Sequence, residues 1–264
     1  MANISTMLAP SSDRSPLPER SDLPIGGRTE LKYCAPIPIA DIALDAARGY
    51  LAYDALALGP RQRVTSLYLD SPHLTFLRWH RLGATDRFKL RIRRYGDQPT
   101  PTLYAEVKRK TGSVVRKRRA AFPVDSLHLV LESSYVPSSE AMPGDADDLK
   151  AFVRHRARCR ATPRVLVTCV RESLRDAMDG TALTVDRDLR YQPNRRADLA
   201  GATCAWRPIP LPGHSGTEMA LVELKYSTTP PPWMDALIGR LAPWRVSFSK
   251  YAAAMSESVP AEIC

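Results

Sequence analysis

The segment Arg87-Phe-Lys-Leu-Arg-Ile-Arg-Arg94 decides the fold of this chain, together with Leu103-Tyr-Ala-Glu-Val-Lys-Arg-Lys110 shortly after it. In the first segment Lys89, Arg91 and Arg93 alternate with apolar residues. Successive side chains of a β-strand point to opposite faces of the sheet, so one face of this strand is cationic and the other is apolar. The pattern recurs on several strands, with single carboxylates among the cations. We therefore expect the charged faces to line a cavity for a polyanion, such as a chain of phosphates.

Strand-like and helix-like segments alternate along the remaining sequence. Eight antiparallel strands can close into a barrel wide enough to hold a ligand. The sequence thus predicts an α+β fold, an eight-stranded antiparallel β-barrel with flanking helices, in which the apolar faces pack outward against the helices. A disordered tail rich in Ser and Pro is predicted over residues 1–27. Strands are predicted near 28–34, 63–69, 86–94, 102–109, 113–122, 163–172, 181–188 and 217–226, and helices over 39–58, 147–158 and 233–241.

The charge of the chain is strongly basic and unevenly distributed. Lys and Arg number 38 against 28 Asp and Glu, a formal charge of +10, and the cations concentrate within 87–119. Such a field attracts anions, so charge alone is compatible with nucleic acid, an anionic membrane or polyphosphate. Grooves for single-stranded nucleic acid usually interleave aromatic side chains with the cations. Because Phe88 falls on the face opposite Lys89, a phosphate chain is favoured and no nucleic-acid partner is expected.

Several common chemistries lack their sequence signals. The five Cys residues form no CxxC pair, which argues against structural zinc or a disulfide framework and favours a reducing, cytoplasmic compartment. The five His residues show no metal-ligand spacing, and the P-loop and protein-kinase motifs are absent. No run of about 18 apolar residues would span a membrane, and the N-terminal region has no apolar run of signal-peptide type.

A Glu-x-Lys spacing occurs three times in strand-like segments. Glu30-Leu-Lys-Tyr33 recurs as Glu223-Leu-Lys-Tyr226, and Glu106-Val-Lys108 is a third copy. A single copy is most simply a solvated or cross-strand ion pair. Three copies favour a functional reading, because a carboxylate among phosphate-binding cations is what Mg²⁺ or Mn²⁺ requires.

Three further motifs give weaker signals. Only alternate members of Arg116-Lys-Arg-Arg119 can face a lumen, and we predict Lys117 and Arg119, although a charged hairpin edge is the alternative. Thr184, Asp186 and Asp188 are predicted to share one face, as an acidic wall, a metal site or partners for the arginines. Ser249-Lys-Tyr251 follows the last predicted helix and is a candidate cap for a phosphate entry.

Taken in order, these motifs resemble the catalytic domain of the vacuolar transporter chaperone (VTC) family. That family comprises polyphosphate polymerases and belongs to the triphosphate tunnel metalloenzymes, also called CYTH-like proteins. Each motif is short, but their order and spacing are specific, and the predicted tunnel domain spans 28–255. The motifs are Arg28-Thr-Glu-Leu-Lys-Tyr33, Ser66-Leu-Tyr-Leu-Asp70, Lys89-Leu-Arg-Ile-Arg93, Glu106-Val-Lys-Arg-Lys110, Thr184-Val-Asp-Arg-Asp188, Leu221-Val-Glu-Leu-Lys-Tyr226 and Ser249-Lys-Tyr251.

The resemblance implies metal-assisted transfer of the ATP γ-phosphate onto a growing polyphosphate chain, with Mn²⁺ or Mg²⁺ as cofactor and ATP and polyphosphate as partners. The SPX domain and membrane helices of the eukaryotic complex are not seen here, so a separate membrane partner is expected if the product is exported. The implied site residues fall into three sets: catalytic Lys32, Arg91, Arg93, Lys108 and Lys225; substrate-binding Lys89, Lys117, Arg119, Arg171, Ser249 and Lys250; and metal-ligating Glu223, Glu30 and Glu106.

Two positions bear on the choice between this function and its alternatives. Arg28 stands where the wider superfamily has the first glutamate of Glu-x-Glu-x-Lys, which is similar to the VTC branch and argues against a plain triphosphatase. Ala182 stands where VTC-like sequences carry an arginine, and Arg171 is a candidate to compensate. The alternatives are a metal-dependent tunnel triphosphatase and a non-catalytic polyphosphate- or polyanion-binding module.

Overall fold

The computed structural model describes residues 29–54, 59–98, 100–112, 114–132, 145–201, 204–213 and 216–258. The predicted tail over 1–27, and Arg28, lie outside these residues. Ten strands and six helices make up the described fold. The strands are β1 Thr29–Pro36, β2 Ala52–Tyr53, β3 Arg61–Asp70, β4 Asp86–Tyr95, β5 Thr102–Thr111, β6 Val114–Pro123, β7 Thr162–Arg175, β8 Ala182–Pro193, β9 Arg207–Pro208 and β10 Met219–Tyr226. The helices are α1 Ile37–Arg48, α2 Thr75–Arg81, α3 Leu127–Glu132, α4 Ala146–Arg158, α5 Pro232–Leu241 and α6 Lys250–Ser258.

One antiparallel sheet organises the molecule, in the order β1-β10-β8-β7-β3-β4-β5-β6, with β2 added beside β7 and β9 beside β8. The sheet curls so strongly that β5 meets β1 across its concave face, where Lys108 Nζ donates to Glu30 Oε2 at 2.8 Å. No hydrogen-bonded ladder joins β1 to β6 among the residues described. The predicted fold class is confirmed, with all eight predicted strands present in an α+β tunnel.

Each outer edge of the curled sheet, β1 and β6, is contacted by a neighbouring segment. On β1, the N–H of Val246 donates to the carbonyl of Lys32 at 2.9 Å, so the chain before α6 runs along this edge. On β6, the N–H of Arg119 donates to a carboxylate oxygen of Asp148 on α4 at 3.1 Å. Unpaired strand edges can form hydrogen bonds with strands of other chains. These contacts therefore reduce the tendency of the sheet to associate through its edges.

The apolar faces of the strands form the core on the outside of the curl. Leu90 and Ile92, the residues between the cations of β4, are fully buried in one cluster with Phe152 of α4. A second cluster joins the outer faces of β1, β8 and β10 to α1 and α5, with Leu44 and Met234 at its centre. Burying such a side chain stabilises the fold by about 1.5–3 kcal/mol. The hydrophobic effect therefore holds the charged faces inward, as the alternation predicts.

The helix predictions are partly confirmed. The helices predicted over 147–158 and 233–241 are α4 and α5, each beginning one residue earlier. The helix predicted over 39–58 is wrong after Arg48, because the chain turns at Gly49 and Ala52 and Tyr53 pair with β7. Tyr50 and Tyr53, which lie within the range predicted as helix, are exposed, and residues 55–58 lie outside the described chain. The helices α2, α3 and α6 were not predicted from the sequence. No helix in the described ranges has the length and apolar character to cross a membrane.

Candidate functional site

The concave face of the sheet lines a partly open cavity of about 410 Å³. Its walls carry eleven cationic side chains and four carboxylates, so the cavity is strongly positive. All fourteen site residues named from the sequence line it. They are Glu30, Lys32, Lys89, Arg91, Arg93, Glu106, Lys108, Lys117, Arg119, Arg171, Glu223, Lys225, Ser249 and Lys250.

The two Glu-Leu-Lys-Tyr segments are partners in one antiparallel ladder between β1 and β10. The register places Glu30 opposite Lys225 and Lys32 opposite Glu223. Lys32 Nζ lies 3.3 Å from a carboxylate oxygen of Glu30 and 3.3 Å from one of Glu223. The repeated sequence thus builds a reciprocal pair of Glu-x-Lys units, with one ammonium group between two carboxylates.

Glu223 lies at the centre of this end of the cavity. Besides Lys32, its carboxylate has Lys225 at 3.1 Å and Lys250 at 3.6 Å, and Thr184 Oγ1 donates to it at 3.4 Å. Burial alone would raise the pKa of Glu223, but Lys250, Lys225 and Lys32 together hold the pKa well below its usual range. Glu223 is therefore ionised at neutral pH and can offer oxygen lone pairs to a cation.

Asp186 anchors two of the cations from behind the cavity wall. Its carboxylate is fully buried, accepts a bidentate pair of hydrogen bonds from Arg171 at 2.6 and 2.7 Å, and is ion-paired with Lys250. Burial would raise the pKa of Asp186, but Arg171 and Lys250 lower the pKa instead. Asp186 fixes the directions in which these two cations point.

The prediction that Asp188 shares the face of Thr184 and Asp186 is wrong. The ladder between β7 and β8 is irregular between Thr168 and Val170, and Asp188 has a left-handed backbone with φ 48°. The extra residue of such an irregularity turns the strand, so the alternation of faces is lost there. Asp188 instead accepts from Arg190 at 2.6 Å at the surface.

Glu106 organises the cations on the opposite wall. It is almost fully buried, accepts from Arg91 Nε at 2.6 Å and is paired with Lys117 at 2.8 Å and Arg119 at 3.7 Å. Burial opposes ionisation, but Arg91, Arg93 and Lys117 lower the pKa of Glu106 well below its usual range. Arg91 also donates to the hydroxyl of Tyr68 at 3.2 Å. The guanidinium and ammonium groups are thus held in place before any ligand arrives.

Two cavity lysines are poised to change charge near neutral pH. Burial and the neighbouring Lys32 and Lys108 lower the pKa of Lys89 to about 7. Burial, with Arg91 and Arg93, lowers the pKa of Lys117 to about 7 despite its pairing with Glu106. A polyanion bound between them would favour the protonated forms.

The start of α6 delivers Ser249 and Lys250 into the cavity. Ser249 Oγ accepts from Lys89 Nζ at 2.7 Å. The next residue, Tyr251, donates its hydroxyl to Asp70, whose carboxylate also accepts backbone N–H groups at the start of α2. Two motifs distant in sequence, at 66–70 and 249–251, are therefore in direct contact. The sequence analysis placed the second after the last helix, whereas Lys250 begins one.

Arg175 is a cavity residue that the sequence analysis missed. It lies directly opposite Ala182 in the ladder between β7 and β8, and both line the cavity. Arg171, the residue suggested to compensate for Ala182, is held by Asp186. The signal for Arg175 was available, since it follows Arg171 and Ser173 on the same face of β7.

The carboxylates fit a divalent cation that shares its ligands with phosphate. Mg²⁺ is usually held by one or two carboxylates together with substrate phosphates and water. The carboxylates of Glu223 and Glu30 both approach the position of the Lys32 ammonium group. Among the described residues, no group of three or more His, Cys, Asp or Glu side chains could hold a metal ion. Glu106 fits less well, because Arg91 and Lys117 already engage its oxygens.

Fold and site together define a class of protein, an antiparallel tunnel whose cationic lumen suits a polyanion. The model of the VTC domain family matches residues 28–259. This chain belongs to the VTC domain family. A search of curated proteins finds no significant match.

Solved structures with a related shape are distant. A Bacillus halodurans protein described as a candidate adenylate cyclase is 11% identical, with a TM-score of 0.46 over 84% of this chain and 95% of that chain. A conserved Pyrococcus furiosus protein is 11% identical, with a TM-score of 0.37 over 83% and 90% of the two chains. The PH1012 protein of Pyrococcus horikoshii is 9% identical, with a TM-score of 0.41 over 85% and 98%. Similarity at this level carries no argument about function.

Proposed function

We propose that this protein is a metal-dependent polyphosphate polymerase of the triphosphate tunnel class, which transfers the γ-phosphate of ATP onto a growing inorganic polyphosphate chain. The observation that carries the proposal is a concave cavity lined by eleven Lys and Arg side chains, with an ionised glutamate, Glu223, among four of them. A cationic surface patch would suffice to bind a polyanion. Cations that carboxylates hold in place around a concave cavity suit the charge that a transferred phosphoryl group develops.

Phosphoryl transfer depends mainly on positioning and charge neutralisation. In the proposed mechanism, Arg91, Arg93 and Lys108 of one wall and Lys32 and Lys225 of the facing strands orient the donor and acceptor phosphates. Guanidinium forks suit two phosphate oxygens at once. The acceptor is an ionised phosphate oxygen, so the mechanism requires no dedicated general base.

Mn²⁺ or Mg²⁺ would be held by Glu223, with Glu30 as the second carboxylate. Bound there, the ion would neutralise charge on the phosphate oxygens during transfer. Lys32 would then contact phosphate rather than both carboxylates. We propose that Glu106 serves instead to hold Arg91 and Lys117, in accordance with its contacts.

The proposal also covers the compartment of the reaction and the partners of the enzyme. We place the enzyme in the cytoplasm, where ATP is available, with ATP and polyphosphate as its partners. If the product is exported, a separate membrane protein would receive the chain.

The test is incubation of the purified protein with ATP and Mn²⁺, with products resolved on a gel stained for polyphosphate. We expect a ladder of chains, and loss of the ladder in Glu223→Gln while an ATP analogue still binds. Glu132→Gln, an exposed glutamate on α3, is the matched control and should retain the ladder. ATP consumption that releases only orthophosphate would identify a triphosphatase, and ATP binding without turnover would identify a binding module. Full activity of Glu223→Gln would overturn its assignment.

A further inference from the structure

One end of the cavity differs in chemistry from the rest. There the rings of Tyr95 and Tyr104 meet edge to face, with centroids 5.4 Å apart and planes at 78°. The guanidinium carbon of Arg119 lies 4.0 Å from the ring centroid of Tyr104 and 5.2 Å from that of Tyr95. Arg93 lies 5.7 Å from the ring centroid of Tyr95. We call Tyr95, Tyr104 and Arg119 the aromatic platform.

The aromatic platform is continuous with the phosphate-binding cations. Tyr95 follows Arg93 by two residues on β4, and Tyr104 precedes Glu106 by two residues on β5, so both rings lie on the lumen face. Tyr95 and Arg119 line the cavity itself. Arg119 also lies 3.7 Å from Glu106, the carboxylate that holds Arg91. A ligand on the aromatic platform would therefore lie on the same wall of the cavity as the guanidinium group of Arg91.

The platform has features that a phosphate chain does not require. Phosphate oxygens are recognised by charge and hydrogen bonds, for which two tyrosine rings are poor partners. A guanidinium group held against a tyrosine ring presents its opposite face, and the side chain of Arg119 is 28% exposed. Nucleobases stack on such arginine planes and on aromatic rings.

We infer that the aromatic platform binds the base of the nucleoside triphosphate, with the base stacked on Arg119 and with Tyr104 behind the guanidinium group. The triphosphate then extends from the platform past Arg91 and Lys117. Ion pairs continue along the cavity from Lys108 through Glu30 and Lys32 to Glu223. This inference rests on the proposed function, because it assigns one end of the cavity to the donor nucleotide.

The test compares two ligands that share a triphosphate and differ in the nucleoside. Affinities for the β,γ-imido analogue of ATP and for inorganic tripolyphosphate are measured by calorimetry with Mg²⁺ present. We expect Tyr104→Leu, which removes the ring that holds the guanidinium plane of Arg119 in place, to weaken binding of the analogue by up to about tenfold and to leave tripolyphosphate binding unchanged. Arg119→Lys, which keeps the charge and removes the plane, should weaken the analogue more than tripolyphosphate.

Two controls separate recognition from folding. Tyr104→Phe keeps the ring and should bind both ligands like the original protein. Tyr53→Leu removes the ring of another arginine–tyrosine contact, formed with Arg48 outside the cavity, and should change neither affinity.

The outcomes distinguish this inference from the proposed function. Equal weakening of both ligands in Tyr104→Leu, or no weakening of either, would overturn the nucleobase site while leaving the tunnel chemistry intact. Failure of the unaltered protein to bind either ligand would overturn the proposed function and this inference with it.

Discussion

Polyphosphate binding should depend steeply on pH through Lys89. Its pKa is lowered to about 7 by burial and by surrounding cations, and its ammonium group donates to the neutral hydroxyl of Ser249. A bound polyanion restores a favourable environment for the charged form, so binding takes up a proton whenever the free protein has released it. The affinity is therefore greatest below pH 7 and falls as the pH rises above 7. The cations that lower this pKa are Lys32, Lys108, Arg87 and Arg91.

The magnitude follows from the proton count. Each lysine that must be reprotonated weakens binding by up to about tenfold for each pH unit above its pKa in the free protein. Between pH 7 and pH 9, Lys89 alone would weaken tripolyphosphate binding by up to about a hundredfold. Lys117, whose pKa is also about 7, adds a similar dependence.

Calorimetry in buffers of different ionisation enthalpy gives the number of protons taken up. We expect Lys89→Met to bind more weakly at pH 6, because a phosphate contact is lost, and to take up about one proton fewer at pH 8. The titration of tripolyphosphate itself cancels in this comparison. An unchanged proton uptake in Lys89→Met would refute the assigned role of Lys89.

Two predictions concern stability. Asp186→Asn removes the nearest carboxylate of the buried Arg171 and Lys250, which then retain only the longer ion pairs with Glu223, and should lower the free energy of unfolding by up to about 3–5 kcal/mol, measured by urea denaturation. A loss below about 1 kcal/mol would show that the pair is solvated. Asp70→Ala removes the acceptor shared by the start of α2 and by α6 and should cost about 1–3 kcal/mol in the same assay. Asp86→Ala, an exposed partner of Arg109, is the control and should cost at most about 1 kcal/mol, and equal losses would contradict the structural role of Asp70.

Local pattern was sufficient for most strands and for the inner wall. The period-two alternation of β4 specifies both which residues are buried and which face the lumen, because a strand has only two faces. The same reasoning placed Lys117 and Arg119 on the lumen side of β6 and Arg118 on the outer side, where it pairs with Asp148. Such predictions fail where the backbone departs from regular geometry, as at Asp188.

Contacts between distant segments could not be derived from the pattern. The hydroxyl of Tyr251, in the first turn of α6, donates to Asp70 across 181 positions of sequence. The residues beyond Arg48 were predicted to continue the helix. In the structure, Ala52 and Tyr53 instead form a short strand that pairs with β7. Tertiary hydrogen bonds outweigh weak helical propensity in such short segments.

The sequence by itself determined that charged strand faces would be enclosed, because the apolar faces had to be buried against helices. It also contained two Glu-Leu-Lys-Tyr segments whose equivalence was visible as a repeat. Only the tertiary structure decided that these segments pair with each other, so that Lys32 lies between Glu30 and Glu223. The physical reason is that alternation specifies the face of a residue, whereas register and curvature decide which charges meet across a cavity.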